Sequence, residues 1–326
     1  MKRVVLIASI LLVFLLWPWL TTSLGESYLI SSMSRVLIFA MAAISLDLIV
    51  GYGAMVSFGH AAFIGLGAYT AAILSHHFNE GIPIFTTPFE FAGSNELLVI
   101  IPLAMLVAAL VALITGAISL RTKGIHFIMI TLAFAQMLYY LFISLDYYGG
   151  EDGLIMLGRN QLPGVDLSDD TSFYYLCLAV LVGYLYLSLR LVNSRFGRVI
   201  QGSRVNPQRM QALGYDTYRY RLVAYIIAAT GAAVAGALLA NKTEYVDPGL
   251  FSWHLSGELL VMIILGGLGS LYGAVIGAIL FLFMEQFLSA YTEHWMLVLG
   301  PFLILVVVYA RHGVYGEIKQ RLQSRV

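Results

Sequence analysis

The sequence predicts an all-α, polytopic membrane protein, a bundle of about ten transmembrane helices, some broken at glycines, with both termini in the cytoplasm. Of its 326 residues, 60% are hydrophobic and 11% are charged, against about a quarter charged in soluble domains. Apolar runs of about twenty residues, the length that crosses a bilayer as a helix, recur along the chain. Successive polar intervals alternate between acidic and basic, as the positive-inside rule requires.

The N-terminal segment, residues 1–20, opens with Lys2 and Arg3 and continues as an apolar run. A cleaved signal peptide is the competing interpretation, but residues 21–27 offer no clear A-x-A cleavage site. We therefore expect a retained first span that starts in the cytoplasm.

The second and third predicted spans, residues 28–50 and 60–74, are joined by the first of two glycine-rich breaks, GYGAMVSFGHAAFIGLGAY. Glycines permit close helix packing or a broken helix, and broken helices line substrate paths in transporters. Packing is the stronger expectation for Gly65 and Gly67 than for Gly51 and Gly53, which sit beside the turn.

The charges of the next polar loops predict the orientation of the chain in the membrane. Residues 76–95 hold acids (Glu80, Glu90) and no Lys or Arg, so they are expected outside. The fourth span, 97–120, returns the chain to a basic turn at Arg121 and Lys123. The fifth, 124–145, leads to DYYGGEDGLIMLGRNQLPGVDLSDD, which has six acids and one arginine, and is therefore expected outside again.

The sixth span, 172–189, delivers the chain to a basic cytoplasmic loop, residues 190–220, with six arginines and one acid. Asn206 can cap a helix whose first residue is Pro207, and Gly214 can end it in the left-handed conformation. This helix is too short to be stable alone. Met210 and Leu213 would share one face and form an apolar knob for docking on a partner. A solvated loop held near lipid headgroups by its arginines is the alternative.

The remaining spans are predicted at 221–240, 255–265, 272–288 and 294–309, and a basic tail follows them. The second glycine-rich break, LGGLGSLYG, separates the eighth and ninth spans. The eighth is short for a crossing and allows a re-entrant segment.

Ionisable residues within the spans are few. Asp47, Glu285 and Arg35 fall near span ends, where they can snorkel or bond between helices, and Glu258 is expected at a helix N-terminus, favoured by the dipole. An ion-coupled carrier or channel would need facing charges in the membrane, and the sequence suggests almost none. The printed residues also contain no GxxxxGK[ST] motif, so any ATP-driven work falls to a partner.

An enzyme is a more distant alternative. Ser57 and His60, three residues apart, would suit an intramembrane hydrolase, but no oxyanion-hole motif or third partner accompanies them. A hydrogen bond that packs the broken segment is the expectation. No histidine has metal-ligand spacing, the single Cys177 cannot form a disulfide within the chain, and a net charge of zero gives no basic tail for nucleic acid.

From residue 34 onward the chain resembles the permease subunits of branched-chain amino acid ABC importers, and among them the LivM-type subunit. The order and spacing of four stretches carry the resemblance: SLDLIVGYGAMVSFGHAAFIGLGAY, GIHFIMITLAFAQM followed by GGEDGL, FGRVIQGSRVNPQRMQALGYDTYRYRLVAY, and ELLVMIILGGLGSLYGAVIGA.

The resemblance implies one permease domain over residues 1–326, in the bacterial inner membrane and in contact with lipid. Its implied partners are a second, related permease chain, two cytoplasmic ATPase subunits that hold ATP and magnesium, and a periplasmic solute-binding protein. No cofactor is implied in this chain. The segment Pro207, Gln208, Arg209, Met210 departs from the acidic or alanine-rich start of many relatives and is nearer to some urea-type permeases, so urea or a short amide is the alternative substrate.

Three groups of residues receive roles from this resemblance and from the glycine pattern. The coupling helix that docks on the ATPase is expected to comprise Asn206, Pro207, Gln208, Arg209, Met210, Gln211, Ala212, Leu213, Gly214, Tyr215 and Asp216. The translocation path is expected near Ser57, Gly59, His60, Gly65, Gly266, Gly267 and Gly269. The solute-binding protein is expected to contact Gly150 and Asp152, although a plain turn is the simplest role of the GGEDGL glycines.

Overall fold

The computed structural model describes residues 2–23, 25, 28–83, 92–292, 294–309 and 313–317. The helices in these ranges are α1 (Lys2–Ser23), α2 (Tyr28–Val50), α3 (Ala61–Glu80), α4 (Leu97–Ser119), α5 (Ile125–Ile143), α6 (Asp170–Asn193), α7 (Arg195–Val205), α8 (Pro207–Ala212), α9 (Thr217–Thr243), α10 (Trp253–Gly266), α11 (Leu271–Ser289) and α12 (Trp295–Tyr309). The acid expected at Glu90 and the basic tail residues Arg311, His312, Lys319, Arg321 and Arg325 lie outside the described residues.

The all-α prediction is confirmed, and each predicted span corresponds to one helix. Six helices are long and apolar enough by themselves to cross a membrane: α2, α4, α5, α6, α9 and α11. Among the others, α10 has 14 residues, about 21 Å of helix, which is shorter than the hydrocarbon core of a bilayer. The expectation that the eighth span is short is therefore confirmed.

Helices α2 and α9 form the centre of the bundle. Within their apolar windows, 94% of the α2 residues and 72% of the α9 residues are buried, against 22% to 28% in α4, α5 and α6. Helix α9 packs against α2, α3 and α4. Helices α3 and α9 approach closely because the residues between them are alanine and glycine. A Cβ added to Gly67 of α3 would lie 2.6 Å from the Cα of Ala233 in α9. Packing at Gly67, as expected from the sequence, is confirmed.

The bundle has two ends of opposite charge. We call the end that carries residues 120–124 and 194–216 the basic end. The other end, which carries residues 146–169 and 244–252, we call the acidic end. Tyr218 of α9 donates a 2.9 Å hydrogen bond to the carbonyl of Ala117 of α4, which joins the two basic segments.

At the acidic end, two loops far apart in sequence form one structure. Strand β1 (Leu154–Ile155) pairs with β2 (Tyr245–Val246) in antiparallel register, Leu154 opposite Val246. Gly149, Gly150 and Gly153 of GGEDGL all have positive φ angles, so the expected turn is confirmed. The sequence gives no sign that this turn is held by the loop after α9, because two-residue strands have no detectable alternation.

Two segments between the α-helices, 51–60 and 244–252, contribute buried residues to the bundle. Phe251 is fully buried and stacks on Phe142 of α5 with ring centroids 4.6 Å apart. A Cβ on Gly65 of α3 would lie 2.8 Å from the Phe251 ring. Irregular backbone at membrane depth is tolerated only where protein surrounds it or a cavity hydrates it, and here protein surrounds it.

The expectation for Glu258 is wrong. Helix α10 begins at Trp253, after Ser252 at its N-cap position. Glu258 therefore lies beyond the first turn, where the helix dipole no longer favours an acid. The predicted start at residue 255 placed the helix terminus too late.

Candidate functional site

The basic loop predicted at residues 190–220 contains two short helices, α7 and α8, which are joined at Asn206. The Asn206 side chain accepts a 3.0 Å hydrogen bond from the backbone N–H of Arg209, Pro207 is the first residue of α8, and Gly214 has φ +87°. The predicted cap, first-turn proline and left-handed glycine are confirmed. Local chemistry alone specifies these features: Asn206 pairs an N–H that the helix end leaves free, Pro207 has no N–H to leave unpaired, and Gly214 adopts the left-handed conformation without strain.

Helix α7 was missed by sequence reasoning, which treated its residues as loop. Ser194 caps it by accepting a 3.2 Å hydrogen bond from the N–H of Gly197. Its buried residues Val199, Ile200 and Ser203 lie on one face, and Arg195, Arg198 and Arg204 on the exposed remainder. The serine cap followed by apolar residues at helical spacing was the signal that could have found it.

The apolar knob of α8 differs from the prediction. Met210 packs back on α7, where a Cβ on Gly202 would lie 2.7 Å from the Met210 sulfur. Leu213 is 65% exposed and Val205, in the last turn of α7, is 86% exposed. The large apolar side chains exposed on residues 205–216 are therefore Val205, Leu213 and Tyr215, because Met210 holds α7 and α8 together.

Arg204 connects this segment to the first glycine-rich break. Its guanidinium donates a hydrogen bond to the carbonyl of Gly51, directly after the end of α2. Arg221 of α9 donates a 2.9 Å hydrogen bond to the carbonyl of Ser203. The end of α7 is thus bonded both to the α2 terminus and to the start of α9.

The two glycine-rich breaks meet at the same place. Asp47 of α2 is fully buried, and its Oδ1 accepts a 2.9 Å hydrogen bond from the N–H of Gly269. A Cβ on Gly51 would lie 2.7 Å from the Cα of Gly269. The expectation that Asp47 bonds between helical segments is confirmed. The preference for packing at Gly65 over Gly51 is corrected, because Gly51 is itself a close backbone contact.

The residues expected along the translocation path are enclosed by other elements of the bundle. Ser57, Gly59, His60, Gly65, Gly266 and Gly267 are buried, and Gly269 is half-buried. A Cβ added to Gly59 would lie 2.9 Å from the carbonyl carbon of Thr131 in α5. A Cβ added to Gly277 of α11 would lie 2.8 Å from the backbone N atom of Gly266. Their role in a path stays a prediction.

The hydrogen bond expected between Ser57 and His60 is not made. His60 Nε2 lies 2.8 Å from Ser45 Oγ of α2, and Ser57 Oγ accepts a 3.2 Å hydrogen bond from the N–H of Gly59. The N–H of Ala61 donates to Ser256 Oγ of α10 at 3.0 Å. His60 Nε2 and the N–H of Ala61 thus have partners on neighbouring helices, as the packing interpretation required, whereas Ser57 is bonded within the break and His60 Nδ1 has no hydrogen-bond partner among the described residues.

The residues expected to contact a solute-binding protein are not equally accessible. Asp152 is exposed at the acidic end, whereas Gly150 is buried. The Asp152 carbonyl accepts a 2.8 Å hydrogen bond from Tyr245, which fixes the turn. Nearby, Tyr148 Oη lies 3.0 Å from His77 Nε2, and burial raises the pKa of the Tyr148 phenol, so the phenol stays protonated near neutral pH. A direct contact would fall to Asp152.

One ion pair joins helices α2 and α11. Arg35 of α2 and Glu285 of α11 form an ion pair of 3.1 Å, and Glu258 of α10 lies within electrostatic range of both. The expectation that Glu285 bonds between helices is confirmed, and the near absence of facing charges at mid-membrane stays a prediction. The pair was invisible in sequence because 250 positions separate Arg35 from Glu285.

Comparison with known proteins gives consistent results. Residues 28–308 match the family described as "Branched-chain amino acid transport system / permease component". The chain is 25% identical to the high-affinity branched-chain amino acid transport system permease protein LivM of Escherichia coli K12, over 99% of this chain and 77% of the relative. It is 25% identical to the probable LivM of Methanocaldococcus jannaschii, over 85% and 86%. The LivH permease of Escherichia coli K12 is 30% identical over 43% of this chain and 46% of its own length. No solved structure matches.

Proposed function

This chain belongs to the family of branched-chain amino acid transport system permease components, and we propose that it is a transmembrane permease subunit of an ATP-binding-cassette importer for amino acids, with branched-chain amino acids as its favoured substrates. A permease moves its substrate without chemical change, so the chain is not assigned to an enzyme class. The multi-pass chain lies in the bacterial inner membrane and contacts lipid, with about ten spans, both termini and the basic end in the cytoplasm.

The partners follow from the same assignment. Similarity to both LivM and LivH supports a transporter with a second, related permease chain. Two cytoplasmic ATPase subunits, holding ATP and magnesium, and a periplasmic solute-binding protein complete the assembly. Residues 1–326 form one permease domain, and residues 190–220 form its coupling loop.

The observation that carries the mechanism is the bond between Arg204 and the carbonyl of Gly51. A short docked helix can pass a rigid-body movement only to elements that are attached to it. Here the loop is attached to α9 through Arg221 and Ser203, and to both glycine-rich breaks through Gly51 and Gly269.

In the proposed cycle, ATP-bound closure of the ATPase subunits moves residues 206–216. The α7–α8 unit transmits that movement to α6, to α9 and to the junction of Gly51 with Gly269. The glycine-rich breaks then shift relative to each other, and the path between this chain and its sister permease alternates between the two sides. Ser57, Gly59, His60, Gly65, Gly266, Gly267 and Gly269 support the wall of that path.

Purification of the tagged chain from its native membrane in mild detergent tests the assignment. ATPase subunits identified by mass spectrometry are expected with the wild type and are expected to be lost in a Val205→Asp, Leu213→Asp double variant, because a charge at these two exposed positions opposes docking. The matched control is Ile155→Asp, Leu157→Asp, which alters exposed apolar residues at the acidic end and should retain the ATPases. Recovery of the chain alone, in cells where it still supports uptake, would instead favour a stand-alone carrier.

A further inference from the structure

A polar cavity opens near the acidic end of the bundle, between α2, α9 and α11. Its volume is about 190 Å³, whereas one water needs only about 10 to 15 Å³ on the same measure. The polar side chains in its lining include Arg35, Ser32, Lys242, Glu285 and Gln286. The space is therefore large enough for a small organic molecule and carries charged groups of both signs.

The cationic groups in this cavity, Arg35 and Lys242, have N–H donors that make no hydrogen bond to the described residues. One guanidinium nitrogen of Arg35, Nη2, contacts the Glu285 carboxylate, at 3.1 Å and 3.4 Å from its two oxygens. Arginine has five N–H donors, so most of them stay free for a second anion. Lys242 is half-buried, and among the described residues no carboxylate lies within 4.0 Å of its ammonium.

The depth of the cluster argues against a merely structural role. Arg35 lies seven residues into α2, about 10 Å from its first residue along the helix axis. The side chains of Arg35 and Glu285 are 45% and 20% exposed, and exposed ion pairs contribute little to stability. Ionisable groups at membrane depth are costly and typically mark substrate or ion pathways.

We propose that this cavity binds a zwitterionic α-amino acid, with the carboxylate on Arg35 and Lys242 and the ammonium on Glu285. The apolar side chains of Val36 and Leu282, which share the lining, would contact an aliphatic side chain. The cavity lies at the end of α9 opposite to the coupling loop, which is the side from which an importer receives its substrate. The inference rests on the proposed function, because that function supplies the amino acid.

The test is a binding measurement on the assembled complex, purified through the tagged chain and placed in lipid nanodiscs without the solute-binding protein. The probes are L-leucine, L-leucinamide, which lacks the carboxylate, and 4-methylpentanoate, which lacks the ammonium. Calorimetry or saturation-transfer NMR should detect leucine binding, and binding of each analogue about tenfold weaker or more, since each loses a charge-assisted hydrogen bond.

Variants locate the site. Lys242→Gln breaks no ion pair among the described residues and should weaken leucine binding about tenfold, and Lys242→Arg should restore it. Glu285→Gln should weaken leucine binding without affecting 4-methylpentanoate. The matched control is Lys123→Gln, which removes an exposed lysine at the basic end and should leave binding unchanged.

Three results would overturn the inference: no leucine binding by the wild type, equal leucine binding by wild type and Lys242→Gln, or displacement of a bound phosphatidylethanolamine by phosphoethanolamine but not by leucine. The last result would assign the cavity to a lipid headgroup. A complex that contains ATPase subunits and supports leucine uptake, yet gives one of these results, would contradict only this inference. A chain that recruits no ATPase would contradict the proposed function itself.

Discussion

The carboxylate oxygen Oδ1 of Asp47 accepts a 2.9 Å hydrogen bond from the backbone N–H of Gly269, although 222 positions separate the two residues. This bond joins the end of α2 to the loop between α10 and α11. Since Arg204 reaches Gly51 one helical turn beyond Asp47, the coupling loop and both glycine-rich breaks form one connected structure.

Replacing Arg204 by Ala should reduce amino acid uptake several-fold while the ATPase subunits still co-purify. The guanidinium joins α7 to the Gly51 carbonyl, so its loss should weaken transmission of movement rather than docking. Uptake of radiolabelled leucine and recovery of ATPase subunits are measured on the same membranes. Arg198→Ala, an exposed arginine on the same helix, serves as the control. Normal uptake by Arg204→Ala would argue against this link.

Replacing Asp47 by Ala should destabilise the purified protein by about 1 to 3 kcal/mol, because the N–H of the half-buried Gly269 loses its acceptor. Asp47→Asn keeps an oxygen acceptor of the same shape and should cost less. Thermal unfolding in detergent, followed by the fluorescence of the tryptophans, measures both. Equal melting temperatures for Asp47→Ala and the wild type would show that the bond contributes nothing to stability.

Replacing Gly67 by Ala should destabilise the protein by about 1 to 3 kcal/mol through overpacking. The added Cβ would lie 2.6 Å from Ala233 Cα, which is backbone and cannot rotate away. The control is Gly183→Ala in α6, where a Cβ meets nothing within 4 Å and the higher helix propensity of alanine should be neutral or stabilising. The same thermal assay compares them, and equal behaviour of the two variants would contradict the close packing of α3 and α9.

Replacing Asn206 by Ala should remove the cap of α8, at a cost of about 1 kcal/mol. A helix of 6 residues has little other stability, so α8 should fray and uptake should fall while membrane expression stays normal. Asn206→Asp retains a capping oxygen and should preserve uptake. Hydrogen exchange of residues 206–214 provides the direct measurement, and unchanged protection in Asn206→Ala would refute a role for the cap.

Replacing Asp152 by Ala should lower uptake by weakening delivery from the solute-binding protein. Its carbonyl, not its carboxylate, holds the turn, so the substitution should leave the fold intact. Glu151→Ala, an exposed neighbour, is the matched control. Uptake at several concentrations of the solute-binding protein should show a weaker apparent affinity for that protein in Asp152→Ala. Unchanged uptake would remove Asp152 from the contact surface.

The sequence by itself determined the features that depend on local chemistry. The spans follow from runs of apolar residues, because a bilayer selects helices by length and hydrophobicity. The α8 cap, its proline and its terminal glycine follow from the needs of a helix end. Helix α7 obeys the same local rules and was within reach of the same reasoning. The glycine breaks were recognised as special positions, and the four ordered stretches indicated the family that the comparisons support.

Only the tertiary structure decided which of these positions meet. No local rule brings Arg204 to Gly51, Asp47 to Gly269, or Arg35 to Glu285, because each pair lies more than 150 positions apart in sequence. Their proximity depends on how α2, α7, α9 and α11 cross. The same packing turned Met210 inward against Gly202 and left Val205 and Leu213 exposed. Local sequence fixes each helix and its ends, whereas the contacts between distant side chains are set when the helices pack.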